Sequence, residues 1–130
     1  MASEVICLDT SVLIDFYRKK NKARSLLYEL TGTYHQFAVS AVTAYEIYVG
    51  SSDEQQVYWE RFFKTISVLP FDHATSKTAV KVFTQLKQDR RQLDIPDLFI
   101  GATTLLHGLK LATLNVRHFA YIHGLQIVGR

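Results

Sequence analysis

Short apolar runs too brief for a helix recur along this chain, and amphipathic stretches of helical length separate them. The first is Val5-Ile6-Cys7-Leu8, followed at once by Asp9-Thr10-Ser11. An unbroken, β-branched run of that length suits a strand buried on both faces, and the polar residues after it suit a helix-capping turn. Phe37-Ala38-Val39, Ile66-Ser67-Val68-Leu69, Leu109 to Leu114 and Gln126-Ile127-Val128 read as further strands. Between them the pattern predicts helices over about Ser11–Lys19, Lys22–Leu30, Ala41–Val49, Glu54–Lys64, His73–Gln92 and Pro96–His107. Ala79, Val82, Phe83 and Leu86 give the longest of these one buried face. Buried strands alternating with helices imply right-handed crossovers, hence an α/β fold with a mostly parallel sheet. Sites in such sheets lie beyond the carboxyl ends of the strands, near a switch in strand order. The residues just after strands therefore carry the chemistry.

At 130 residues the chain is one domain, 1–130, because a second core would leave neither half enough buried surface. No apolar run approaches the roughly 20 residues of a membrane span, and Met1-Ala2-Ser3-Glu4 lacks the features of a signal peptide. A lone Cys7 forms no internal disulfide, which fits a reducing cytoplasm. The expectation is a soluble, cytoplasmic protein.

Three acids stand out. Asp9 follows the first strand, either as a helix N-cap or as a carboxylate offered to a metal at the strand mouth. Glu46 lies in Ala41-Val42-Thr43-Ala44-Tyr45-Glu46-Ile47-Tyr48-Val49, apolar around almost its whole circumference. That helix reads as mostly buried, so Glu46 is paired, protonated or bound to a cation, unless it shares one exposed stripe with Thr43. Asp97 opens the helix after Pro96. If Asp94 caps that helix, Asp97 is free for other work. Gly101 inside it suggests close packing against another backbone. Clustered carboxylates need a counter-charge, and a hard cation such as Mg²⁺ or Mn²⁺ suits an all-oxygen set. Asp15, six residues past Asp9, reads as an ion-pair residue.

Lys and Arg outnumber Asp and Glu by 15 to 12, a net charge of +3 that admits a polyanionic partner. The excess is clustered. Arg18-Lys19-Lys20-Asn21-Lys22-Ala23-Arg24 and Lys87-Gln88-Asp89-Arg90-Arg91 are basic runs, and Arg117 borders the acidic site. These are solvated surface or, against a polyanion, phosphate contacts, with Arg18, Lys19, Lys20, Arg90, Arg91 and Arg117 as candidates. Tyr17 or Phe119 is either core or a base-stacking surface.

Four blocks then carry a resemblance. Leu8-Asp9-Thr10-Ser11-Val12-Leu13-Ile14-Asp15 resembles the opening of PIN-domain nucleases, especially VapC-type toxins of toxin–antitoxin modules. Ser40 to Gly50, Ile95 to Thr103 and Ala112-Thr113-Leu114-Asn115-Val116-Arg117-His118-Phe119 resemble the family's second, third and fourth blocks, in family order over nearly the whole chain. The resemblance implies a three-layer α/β/α sandwich and a Mg²⁺- or Mn²⁺-dependent endoribonuclease acting on tRNA, rRNA or mRNA. Asp9, Glu46 and Asp97 then match the metal-binding acids, Ser11 the small polar position beside the metal, and Thr113 and Asn115 the rim. It further implies a homodimer, a VapB-like antitoxin laid across the acids, and larger toxin–antitoxin assemblies. The aromatic residues Tyr45, Tyr48, Tyr58, Trp59, Phe62 and Phe63 are candidates to line that antitoxin groove, or are core. One position departs: His118 stands where many members carry a fourth acid. It either contacts a phosphate or a metal-bound water at a weaker second metal position, or is a surface residue without a role.

Competing readings are a haloacid-dehalogenase-like phosphatase, which needs an Asp where Ser11 stands, and a receiver-like domain, for which Lys110 is misplaced. A non-catalytic PIN scaffold that binds RNA or protein is the third.

Overall fold

The computed structural model describes residues 4–130. Five short strands form one parallel sheet in the order β3-β2-β1-β4-β5: β1 Val5–Leu8, β2 Gln36–Ser40, β3 Ser67–Leu69, β4 Lys110–Ala112 and β5 Ile127–Val128. β1 lies in the centre, and the chain winds outward from it in both directions. The reversal of order therefore falls between β1 and β4.

Alternation along the strands sends side chains to two cores. Ile6 and Leu8 of β1 and Ala112 of β4 face one, with α1 Thr10–Arg18, α2 Leu26–Leu30, α3 Ala41–Val49 and α4 Asp53–Phe63. Cys7 and Leu111 face the other, with α5 His73–Gln88, α6 Ile95–Leu106 and α7 Val116–Phe119. The result is the three-layer α/β/α sandwich that the family resemblance implies, built on the parallel sheet expected from the strand–helix alternation. Cys7 is fully buried, and desolvation pushes its thiol up to about 11, so it is an inert filler rather than a nucleophile. No helix of the described residues is long and apolar enough to cross a membrane.

Several local expectations are corrected. The helix read over Lys22–Leu30 is two pieces, a 3₁₀ turn at Lys22–Arg24 and then α2. Ser25 separates them by capping Tyr28 N–H (3.2 Å), and Asp15 accepts from Leu26 N–H (3.2 Å). The longest helix stops at Gln88 rather than Gln92, because Arg90 turns into the left-handed region (φ 57°). The strand read over Leu109–Leu114 is confined to Lys110–Ala112; the sequence pattern also missed the single turn α7 beyond it. α3 is not mostly buried: only Thr43 and Ile47 are, and Tyr45 and Val49 are each 66% exposed. Gly101 packs against side chains rather than a backbone. A Cβ there would meet Ile122 Cδ1 at 2.6 Å, so the missing side chain lets α6 sit against the α7 end of the chain.

Candidate active site

The site lies at the carboxyl ends of β1, β2 and β4, at the reversal of strand order. Asp9 leaves β1 at the N-cap position of α1 but makes no capping bond with its side chain. Its Oδ2 instead accepts from Ser11 Oγ (2.7 Å) and Thr113 Oγ1 (2.8 Å), and only 3% of the residue is exposed. The carboxylate is thus turned away from its own helix and held across the sheet by residues of two βα units. Thr113 in turn accepts from Asn115 N–H (2.9 Å), and Ser11 from Leu114 N–H (3.1 Å), which fixes both hydroxyls. Asn115 stands at the N-cap of α7 without a side-chain capping bond.

Glu46 comes from the middle of α3, which Ser40 caps at the end of β2 through Thr43 N–H (3.0 Å). Its Oε1 accepts from Thr10 Oγ1 at 2.7 Å, and Thr10 Oγ1 also lies 3.0 Å from Thr43 Oγ1. Thr10 is a positioning residue that sequence reasoning missed. Its signal was adjacency to Asp9, but its role depends on β1 and β2 being neighbours. A hydrogen bond to a charged group is worth about 1.5–3 kcal/mol. Thr10→Val, which keeps the shape and removes the donor, is therefore expected to lower the melting temperature by several degrees and, measured well below that temperature, to lower activity because Glu46 is no longer held in place. Steady-state kinetics beside a thermal melt checks this.

Asp97 lies in the first turn of α6. Asp94 occupies the N-cap position, yet its side chain makes no capping bond, contrary to the expected division of labour. Asp97 Oδ2 lies 3.0 Å from His118 Nδ1. An ionised carboxylate can only accept, so Nδ1 carries the proton and Nε2 is left for solvent or substrate. His118 is thus hydrogen-bonded to Asp97 rather than standing alone on the surface. The Asp97 carboxyl is pushed above the usual range by burial first and then by the charge of Asp9, with Glu46 adding repulsion and His118 opposing it.

Asp97 thus lies close enough to both other acids to feel their charge. Among the described residues no three His, Cys, Asp or Glu side chains are gathered into a ready-made metal cage. The donor set still fits one class of ion. Mg²⁺ and Mn²⁺ take oxygen ligands, and Mg²⁺ keeps several waters while binding through one or two carboxylates, so it needs no closed cage. The set lacks the thiolate or multiple imidazoles of a zinc site.

The candidate cations divide into two flanks. Arg18 lines a cavity of about 350 Å³ together with Glu46. Arg90, Arg91 and Arg117 line an open groove of about 600 Å³ with Asp97 and His118. Lys19 is instead tied to Asp15 (3.4 Å), the ion pair expected for that acid, and Lys20 is exposed and lines neither cavity. Phe119 is fully buried core. Tyr17 packs between Tyr58 (5.1 Å) and Trp59 (5.4 Å). Trp59 and Phe63 of the expected aromatic groove are core, whereas Tyr17, Tyr58 and Phe62 line an open cavity of about 770 Å³.

The PIN domain family model matches residues 6–124. The chain belongs to the PIN-domain family. This PIN domain is 33% identical over 128 residues to "Ribonuclease VapC1" of Methanocaldococcus jannaschii, covering 96% of this chain and 88% of that protein. It is 26% identical to "Ribonuclease VapC19" of Mycobacterium tuberculosis over 92% of this chain and 95% of that protein. Among solved structures, it is similar to DNA-bound VapBC from Salmonella typhimurium, with a TM-score of 0.85 at 22% identity over 98% of each chain. It also resembles a toxin–antitoxin complex from Klebsiella pneumoniae, with a TM-score of 0.74 at 29% identity over 95% of each chain. The phosphatase and receiver readings are set aside by this membership, and Ser11, where a phosphatase needs its second Asp, is used here to hold Asp9.

Proposed function

We propose that this PIN domain, acting as a single unit over residues 1–130, is the toxin of a toxin–antitoxin pair and an endoribonuclease that hydrolyses RNA phosphodiesters. The observation that carries the reading is the placement of Asp9, Glu46 and Asp97 at the strand mouths, close enough for the charges of the first two to raise the Asp97 carboxyl, with arginine on both flanks. Such a site attracts a divalent cation at its centre and a phosphate chain across its rim. The ribonuclease names of its relatives support the reaction class.

Mg²⁺ or Mn²⁺ at the three acids would supply Lewis acidity and a bound water of lowered pKa. The chain's own residues prepare that chemistry. Ser11 and Thr113 aim Asp9 at the site, Thr10 does so for Glu46, and His118 for Asp97. Arg18 on one flank, and Arg90, Arg91 and Arg117 on the other, bind phosphates and bring the scissile one over the acids. Lys20 adds long-range attraction; Lys19, already paired, is left out. Binding by phosphate contact depends steeply on salt, since each neutralised phosphate of single-stranded RNA gives a slope of about −0.7 in log affinity against log salt.

The partner reading follows from the toxin–antitoxin complexes it resembles. A VapB-like antitoxin segment would lie against the aromatic cavity of Tyr17, Tyr58 and Phe62 and carry a cation to the acids. A second copy of this chain would cover the apolar face of α5 and α6, where Val80 (63% exposed), Phe83 (54%) and Ile95 (57%) lie bare, to give the homodimer from which larger assemblies are built. The cell compartment this fits is the cytoplasm.

The test is cleavage of an unpaired oligoribonucleotide with Mg²⁺, with Mn²⁺ and with EDTA, beside an aryl phosphate control. Internal cuts that need metal, without aryl phosphate turnover, are expected. RNA left intact under both metals would overturn the reading, as would full activity in EDTA.

A further inference from the structure

The groove beside Asp97 holds more than loose surface charge. Arg91 stacks its guanidinium over the Tyr121 ring, 3.6 Å from the centroid. Neither Arg90, Arg91 nor Arg117 has a carboxylate partner among the described residues. The pair is held in register from beneath. Gln85 Nε2 of α5 donates to Tyr121 O (2.9 Å), and Gln85 Oε1 accepts from His123 N–H (3.0 Å), so one amide clamps the Tyr121 segment to the helix that delivers Arg91.

The helix end itself is unusual. Arg91 N–H reaches back to Leu86 O (2.9 Å) and Arg90 N–H to Lys87 O (3.1 Å), a pattern that places Arg90 in the left-handed conformation. Glycine is the residue that adopts this without cost, and a left-handed residue with a Cβ is strained. An arginine here keeps a long cationic arm at a position where stability favours none.

We infer that this groove is a subsite for one unpaired nucleotide flanking the cleaved bond, its phosphate on Arg90 and Arg117 and its base on the stacked Arg91–Tyr121 pair. The inference rests on the endoribonuclease reading. Guanidinium planes and aromatic rings are the surfaces on which proteins stack splayed-out bases, and the N–H edge of a stacked arginine stays free for phosphate. A base drawn into the groove must have left its duplex, so the subsite selects single-stranded RNA. Tyr121 acts through Arg91 as well as through its own ring, and is a positioning residue.

The experiment compares an unpaired oligoribonucleotide with the same strand carrying an abasic residue next to the cut, on either side, in wild type, Tyr121→Phe, Tyr121→Ser and Arg90→Gly. Cleavage kinetics are read with Mn²⁺, and fluorescence anisotropy binding is read in EDTA. One abasic position is expected to raise KM and weaken binding roughly ten-fold in wild type and Tyr121→Phe. In Tyr121→Ser, already weakened by a similar factor, the same abasic residue is expected to have little further effect. Arg90→Gly is expected to melt higher than wild type yet bind RNA several-fold more weakly; binding unchanged in that variant would overturn the phosphate contact. Cleavage by wild type without any abasic effect, or with the same effect in Tyr121→Ser, would overturn the subsite and leave the nuclease reading standing. Base-dependent binding in EDTA without cleavage under either metal would overturn the nuclease reading, and with it the subsite's place beside a cleaved bond, leaving a groove that only binds RNA.

Discussion

Asp97→Asn is expected to lose RNA cleavage by at least about a thousand-fold and to unfold at a higher temperature than the wild type. The loss follows from removing one of three acids around which several kcal/mol of transition-state stabilisation is organised. The gain follows from the charge. Burial, Asp9 and Glu46 raise the Asp97 carboxyl above its ordinary value in the folded state, against partial relief from His118. The native state therefore holds that proton more tightly than the unfolded chain, and stability falls as pH rises between the two values. Above the folded value the full penalty is present; below the ordinary carboxyl value it is gone. Asparagine is neutral, keeps an oxygen to accept from His118 Nδ1, and removes the penalty at neutral pH. Thermal melts of wild type and variant in EDTA should converge as pH is lowered through the carboxyl range and diverge above it. Asp9→Asn should lose cleavage similarly, although its bonds from Ser11 and Thr113 give it a different stability response. An Asp97→Asn protein with wild-type metal-dependent cleavage would refute the site. One that melts lower at neutral pH would refute the electrostatic account while leaving the catalytic one intact.

Phe119→Ala carries the largest expected cost to stability, about 3–5 kcal/mol. The ring is fully buried, and it lies 3.7 Å from where a Gly101 Cβ would stand, in the core that α6 and α7 share. A domain's whole stability is about 5–15 kcal/mol, so a fall in melting temperature of roughly 10 °C or more is expected. Phe119→Leu refills most of the volume and should recover most of the loss. The effect should reach the site as well, because His118 precedes Phe119 on the same single turn. At a temperature where Phe119→Ala is still folded by circular dichroism, its cleavage rate should nonetheless be reduced. A folded Phe119→Ala with wild-type rate would mean that α7 does not need its buried anchor to hold His118 against Asp97.

The central strand and the acid after it were readable because both signals are local: four apolar residues, then a polar cap. The order of the sheet, and with it the bond between Asp9 and Thr113, was not legible in the sequence; the family resemblance put Thr113 only at the rim of the site. What stayed hidden depends on contacts between distant segments. Periodicity marked α3 as buried all round, but its apolar count does not say whether a neighbour covers Tyr45 and Val49, and in the isolated chain none does. Thr10 was read only as part of the polar capping turn; its bond to Glu46 depends on β2 bringing α3 beside it. The end of α5 was misplaced because Asp89-Arg90-Arg91-Gln92 contains neither Gly nor Pro, the usual stops. The chain stops there by forcing an arginine into a glycine's conformation, which no propensity anticipates.

The bond between Asp9 and Thr113 spans 104 positions of sequence. A chain growing from its N-terminus contains all three acids once Asp97 is made, yet the hydroxyl that aims the first acid arrives only after β4. The first strand pairs in the middle of the sheet with a neighbour made about a hundred residues later, and contacts of such separation are the slow ones in folding. The cutting centre is therefore assembled last. A nascent chain that stops short of Thr113 would carry all three acids without the hydroxyl that aims the first of them.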